Sequence, residues 1–265
     1  IPKKSAFEAD ISPADPLAIG NMVRLLDKAE RPLVVTGPAM NKSRAGTMLD
    51  DLSNALDAPV VSMESPRGLK DPSLGAFAEM LPQTDLLVSL GKAIDFTLGF
   101  AKPPVVDRDC RFLVVDAESE NVERARRRLG GRLALTLCAD PQNAVGQLID
   151  ISKGGDARSG WRSDVAEAIR YRETGLTASG QKMPSWALCQ GVQKVLDSAE
   201  DPILVSDGGE FGQWAQAIVS AQTRIINGPS GAIGGGICYA IAAKLARPSA
   251  TVVSLMGDGT AGFHF

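Results

Sequence analysis

Apolar residues fall along the chain in two alternating rhythms. The first dozen residues, "IPKKSAFEADIS", have no period and read as a linker or an entering strand. Leu17, Ile19, Met22, Val23, Leu25 and Leu26 then recur at helical spacing, with Asp15 placed to cap and Pro16 at the first helical position. "RPLVVTGPAM" follows, a short β-branched run that ends in Gly37 and Pro38 and reads as a buried strand entering a turn. From there the pattern predicts helix "SRAGTMLDDLSNAL" and strands "APVVSM", "TDLLVSLG" and "CRFLVVDA". Helix "SENVERARRRL", strand "LALTLCAD" and helix "PQNAVGQLIDI" complete the unit. Near-continuous apolar strands separated by helices predict a parallel sheet covered on both faces.

The glycine-rich stretch "SKGGDARSG" marks a boundary, so residues 1–155 form one domain and residues 156–265 the start of another. Helix "WRSDVAEAIRYRE" and a polar segment, "TGLTASGQKM", lead into a second alternation. Its elements are helix "SWALCQGVQKVL", strand "PILVSD", helix "FGQWAQAIV", strand "RIIN", helix "ICYAIAAKLA" and strand "TVVSLMGDG". The fold class is α/β, with two doubly wound, Rossmann-like parallel-sheet domains, the second incomplete.

Composition narrows the class of partner. At 265 residues, 44% apolar and 22% charged, the chain has the make-up of a globular protein. A formal charge of −3 argues against nucleic acid or an anionic membrane as the main partner. The basic run "RARRR" (124–128) sits among Glu118, Glu120 and Glu123 and reads as the solvated face of a helix. Cys110, Cys138, Cys189 and Cys238 have neither zinc nor disulfide spacing and read as small buried hydrophobes in a reducing compartment. With no leader and no apolar run near about 18 residues, the expected location is cytoplasmic. The one histidine is His264.

Ligands of open parallel sheets bind beyond the carboxyl ends of the strands. "PILVSDGGEFGQW", "RIINGPSGAIGGG" and "TVVSLMGDG" all end at that edge of the second unit. Glycine lets backbone N–H groups approach a ligand, and helix N-termini favour anions, so phosphate is the expected guest. An acid beside phosphate makes sense if a divalent cation bridges them, which would give Asp258 a Mg²⁺. Each piece has a plainer reading. Gly-Asp-Gly is also a common tight turn, and the glycines of "GAIGGG" also suit close helix packing. Neither glycine-rich loop fits the dinucleotide fingerprint.

The three together resemble the diphosphate-binding domain of thiamine diphosphate (ThDP) enzymes. The chain is most similar to the group containing acetolactate synthase, benzaldehyde lyase and oxalyl-CoA decarboxylase, through "NGPSGAIGGGICYAIAAKLARPSATVVSLMGDGTAGFHF". The resemblance implies that Asp258 is a Mg²⁺ ligand and that Gly257, Gly259 and Thr260 hold the diphosphate. Gly208, Gly209, Glu210 and Phe211 then form the other diphosphate loop, Gly231 and Ala232 meet the aminopyrimidine, and Ile233 supports the bent cofactor from beneath. Glu210 and Phe211 stand where acetolactate synthases usually carry Gln and His, which counts against acetolactate synthase proper.

The first unit resembles the family's central domain through "SPRGLKDPSLGAF", "DLLVSLGKAIDFTLGF" and "RFLVVDAESENVERA". That domain holds FAD in some members, ADP in others and nothing in the rest. Arg67, Asp116 and Asp140 are the positions that would meet a nucleotide here.

The implied activity is ThDP- and Mg²⁺-dependent making or breaking of C–C bonds beside a carbonyl, on a 2-keto acid or aldehyde, in a homodimer or homotetramer. Family members also carry an upstream domain with an activating glutamate, and an Asn about two dozen residues beyond the GDG motif as second metal ligand. Neither lies within these residues, so the chain reads as a fragment, inactive by itself and without a catalytic residue of its own. The alternative from another class is a nucleotide-binding or regulatory module with a vestigial ThDP site.

Overall fold

The computed structural model describes residues 11–171, 183–227 and 231–264, with the side chains of Lys42, Glu210 and His264 outside that description. The first twelve residues and "TGLTASGQKM" therefore fall largely outside it.

Helix α1 (Pro16–Lys28) begins where Asp15 accepts from the Leu17 N–H and Pro16 pre-sets the first turn. Ile19, Met22 and Leu26 are fully buried, each contributing about 1.5–3 kcal/mol, whereas Leu17, read as part of the apolar face, is 70% exposed. Strand β1 (Pro32–Thr36) is followed by α2 (Lys42–Ala45) and α3 (Met48–Leu56). The helix expected over residues 43–56 breaks because Gly46 takes φ +57°, a left-handed conformation that ends α2.

Strands β2 (Val60–Ser62), β3 (Leu86–Leu90) and β4 (Arg111–Asp116) follow, linked between β2 and β3 by short 3₁₀ turns. Helix α4 (Ser119–Leu129), strand β5 (Leu133–Cys138) and helix α5 (Pro141–Ile151) complete the sheet region, the two helices coinciding with the periodic segments of the sequence. The parallel sheet has the order β2-β1-β3-β4-β5. On β1, Val34 packs beneath α1, α3 and α5, while Leu33 and Val35 face α4 and the 3₁₀ turns, so both faces are covered.

Helix α6 (Ser159–Arg170), grouped by the sequence with the second unit, packs on the first. Trp161 and Val165 join the core beside Phe77 and Leu81, and the Trp161 indole donates to the Pro32 carbonyl at 2.8 Å. The packing therefore changes sheets after Arg170 rather than at residue 155.

The second unit runs α7 (Ser185–Asp197), β6 (Pro202–Ser206), α8 (Gly209–Ile218), β7 (Thr223–Ile226), α9 (Gly236–Ala246), β8 (Thr251–Leu255) and the single turn α10 (Asp258–Ala261). Its three strands are parallel in the order β7-β6-β8. No helix among the described residues is long and apolar enough to cross a membrane.

Cys110 and Cys189 are buried as expected, and burial pushes the Cys110 thiol up to about 12. Cys138 and Cys238 are exposed, which corrects the expectation for those two. The basic run lies on an open helix face, where Arg124 pairs with Glu120 at 2.6 Å and Arg126 with Glu123 at 2.5 Å. Arg128 instead stacks over Phe100.

The two units meet along a polar seam. Glu64, after β2, pairs with Arg224 of β7 at 2.6 Å and accepts from the Asn41 side-chain amide at 2.8 Å. The Ser43 hydroxyl donates to the Gln222 carbonyl at 2.6 Å and accepts from the Arg224 N–H at 3.1 Å. Only 15% of the Arg224 and 11% of the Glu64 side chain is exposed, so losing one partner strands a poorly solvated charge. Glu64→Gln is expected to destabilise the protein by about 3 kcal/mol, with part recovered in the double variant Glu64→Gln/Arg224→Met. Urea midpoints of the single and double variants check this.

Candidate functional site

The strand order fixes where a ligand can enter the second unit. The chain leaves β6 for β7 on one side and returns across β6 to β8 on the other, so the crevice beyond the carboxyl ends of β6 and β8 is the topological switch point. Asp207–Gly208–Gly209 and Gly257–Asp258–Gly259 leave their strands on either side of it, and the Asp207 N–H donates to the Leu255 carbonyl at 3.0 Å between them.

Asp207 organises this edge. It is 1% exposed, and its carboxylate accepts from the N–H groups of Gly208 (2.6 Å), Gly234 (3.0 Å) and Gly236 (2.7 Å). One side chain thus ties the loop after β6 to the loop that opens α9. A side chain on Gly236 would place its Cβ 2.8 Å from the Asp207 carboxylate, and one on Gly212 would stand 2.1 Å from the Asp207 carbonyl oxygen. The glycines are therefore required for close approach. The sequence brought Asp207 to the strand end but gave it no role. Its signal was there: an acid directly before a glycine pair at a helix start is a ready cap for backbone donors.

The other residues converge around this anchor. Gly209 takes φ +83° at the first position of α8, and a Cβ there would lie 3.5 Å from the Thr260 hydroxyl. Thr260 is buried at 5% exposure and also approaches Gly257. Ile233, 42% exposed, lies against Gly208, where an added Cβ would stand 2.2 Å from its Cγ2. Asn227 sits beside Gly208 with its Oδ1 buried and unpartnered among the described residues. Gly257, Asp258 and Gly259 reach the open side of the crevice, and the Asp258 side chain has no ion pair or hydrogen bond among the described residues. Ala232 is exposed next to Ile233, and Gly231 (φ +69°) lies against Pro66 of the first unit. Phe211 is partly buried, its side chain packed against the second core. The side chain of Glu210 lies outside the described residues.

This arrangement suits a phosphate ester. The amino end of α8 leaves backbone donors without intrahelical partners, and its dipole favours an anion. The glycines leave room at the backbone, and Asp258 offers one hard oxygen donor. Among the described residues no group of three or more acidic, His or Cys side chains could by itself cage a metal. Mg²⁺ held by one or two carboxylates and a ligand's phosphates needs no such cage, so the residues fit a Mg²⁺-diphosphate group.

The first unit's candidates each make contacts within the protein. Asp116 ends β4 and accepts from the Glu118 N–H at 2.9 Å and the Asn121 side-chain amide at 3.3 Å. Asp140 caps α5 through the Asn143 N–H at 2.8 Å. Arg67 turns away from that sheet to Gln216 (3.0 Å) and the Gly209 carbonyl (3.4 Å) in the second unit. At the first sheet's own switch point, between β1 and β3, the backbones close on each other, and a Cβ on Gly37 would stand 1.9 Å from the Gly91 carbonyl oxygen.

The residues that build this α/β scaffold match known protein families. Residues 19–148 match the thiamine pyrophosphate enzyme central domain, and residues 207–265 match the C-terminal TPP binding domain. The chain belongs to the thiamine pyrophosphate enzyme family. Among curated relatives, it is 29% identical over 265 residues to the acetolactate synthase large subunit IlvG of Mycobacterium tuberculosis (95% of this chain, 47% of that protein). It is 26% identical over 268 residues to a 2-hydroxyacyl-CoA lyase of Arabidopsis thaliana (92% and 45%). The chain thus spans about half the length of these relatives.

Among solved structures, the fold is shared with the thiamine diphosphate-dependent 4-hydroxybenzoylformate decarboxylase of Rhodococcus jostii RHA1, at TM-score 0.67 and 22% identity, covering 98% of this chain and 50% of that one. It is also shared with benzoylformate decarboxylase from Polynucleobacter necessarius, at TM-score 0.70 and 14% identity, covering 99% and 50%.

Proposed function

We propose that the protein is a ThDP- and Mg²⁺-dependent enzyme that makes or breaks a C–C bond beside a carbonyl, by decarboxylation or carboligation of 2-keto acids or aldehydes. The observation that carries this reading is the convergence of Gly208, Gly209, Ile233 and Thr260 on the β6/β8 crevice, with Asp258 at its open side.

In this reading Asp258 ligates Mg²⁺, while the backbones of Gly208, Gly209, Gly259 and Thr260 hold the diphosphate. Ile233 offers an apolar surface against which the cofactor bends, and Gly231 and Ala232 leave backbone groups open to its pyrimidine. Asp207 keeps the two loops in register. When bound, ThDP supplies the electron sink that stabilises negative charge on a former carbonyl carbon. The chain's own contribution is binding, orientation and exclusion of water. The reading includes a homo-oligomer, supported by Ile241 and Leu245, one turn apart on α9 and 56% and 76% exposed.

The test is a panel of 2-keto acids, aldehydes and 2-hydroxyacyl-CoA thioesters, assayed on the full-length protein with and without ThDP and Mg²⁺. Turnover of at least one substrate class that requires both additions is expected. Turnover independent of both, or binding of FAD or ADP with no affinity for ThDP, would contradict the proposal; the second result would favour a nucleotide-binding module.

A further inference from the structure

We propose that Arg67, a residue of the first unit, is a positioning residue for the diphosphate loop of the second, and that it couples the first unit to cofactor occupancy. This rests on the ThDP reading above and adds to it a role for the central unit that does not involve a nucleotide.

Three consecutive residues, Ser65, Pro66 and Arg67, touch both loops of the site. The Arg67 guanidinium donates to the Gln216 side-chain oxygen at 3.0 Å and to the Gly209 carbonyl at 3.4 Å, and lies 4.0 Å from where a Cβ on Gly212 would stand. It therefore covers the first turn of α8. The Ser65 hydroxyl donates to the same Gln216 oxygen at 3.4 Å and accepts from the Arg67 N–H at 3.3 Å. Gln216 is 1% exposed and Ser65 4% exposed, so these contacts are shielded from water and geometrically restricted. Pro66 lies against Gly231, 3.8 Å from a built Cβ, and so meets the second loop.

The brace is anchored from behind. Gly68 takes φ +56°, and a Cβ there would fall 2.1 Å from the Thr97 carbonyl oxygen. Thr97 is held in turn by the buried Lys92, whose ammonium donates to the Thr97 hydroxyl and pairs with Asp95 at 3.5 Å. The segment 65–68 is thus fixed to the first unit while its side chains reach the second.

Charge points the same way. A cation over a helix N-terminus opposes the helix dipole, and the Asp207 carboxylate at this end of α8 is taken up by three backbone N–H groups rather than by Arg67. An anion bound at the same turn reverses that penalty. The two-pronged guanidinium serves two acceptors at once, which an ammonium does not. Arg67 is thereby suited to hold the Gly209 peptide in place and to become more favourable when a diphosphate arrives.

The experiment is Mg²⁺-dependent ThDP titration of the full-length protein, followed by calorimetry, for the unaltered sequence, Arg67→Lys and Arg67→Ala. Hydrogen exchange over residues 65–68 and 208–212 is read with and without ThDP. Arg67→Ala is expected to raise the ThDP Kd about 10- to 100-fold, the range for removing a group that orients a ligand shell, with Arg67→Lys between. In the unaltered protein ThDP slows exchange at 65–68; in Arg67→Ala that protection is lost while 208–212 remains protected at saturating ThDP.

An unchanged Kd in both variants, or loss of FAD or ADP affinity with ThDP affinity intact, overturns the inference and leaves the ThDP reading standing. Failure of the unaltered protein to bind ThDP overturns both. If Arg67→Ala does not fold, Arg67→Lys decides through the same Kd and exchange readouts.

Discussion

Asp258→Ala is expected to weaken Mg²⁺-dependent ThDP binding by at least about 100-fold, because a carboxylate that directly ligates the metal contributes more than the groups that merely orient such ligands. The folded state should barely notice the change. Asp258 is exposed at the Gly257–Gly259 turn, and its side chain has no hydrogen bond or ion pair among the described residues. Surface substitutions of this kind stay within about 0.5 kcal/mol of the parent stability. Calorimetric titration of ThDP in Mg²⁺ and in EDTA, alongside a thermal melt, separates the two effects. Unchanged affinity with an unchanged melt would remove Asp258 from the metal site. A lost melt would show that its role is structural.

Asp207→Ala should act in the opposite way, through the fold itself. Three buried N–H groups, those of Gly208, Gly234 and Gly236, would lose their acceptor at once. Each unsatisfied donor costs about 1–3 kcal/mol, partly offset because a buried charge is also removed. A net loss of about 3–5 kcal/mol is expected, against a total stability of about 5–15 kcal/mol for an ordinary domain. Asp207→Asn keeps one acceptor oxygen and should recover part of the loss. Thermal unfolding followed by hydrogen exchange should place the weakening at residues 207–212 and 234–236 before the first sheet responds. Equal stability of Asp207→Ala and the unaltered protein would mean that water replaces the carboxylate without cost.

Much of the fold was legible because its elements are periodic. The helices over residues 119–129 and 141–151 agree with their apolar spacing to the residue, and each predicted strand is present. What periodicity could not reveal was set by a single dihedral or by distance along the chain. Gly46 splits a continuous helical pattern through its φ of +57°. Helix α6 has the spacing of any amphipathic helix, and long-range contacts such as that of Trp161 with Pro32, 129 residues away, assign it to the first unit. The Arg67 contact with Gln216 spans 149 positions, so the sequence could mark Arg67 but not the loop it serves.

The site was legible as motifs and not as an assembly. Gly208, Gly209, Gly257 and Asp258 stand out as glycine-rich strand ends. Phe211 belongs to the same string, yet its side chain packs partly against the core, because a helix turn carries neighbouring residues to different faces. Asp207 had a visible motif, but three donors from two separate loops meet it only in three dimensions.

The most direct test of the central claim is a calorimetric titration of the full-length protein with ThDP, with and without Mg²⁺. Saturable binding at one site per chain that disappears when Mg²⁺ is chelated is the expected result. No binding in either condition, or binding indifferent to Mg²⁺, would contradict the assignment of the β6/β8 crevice as a metal-dependent diphosphate site.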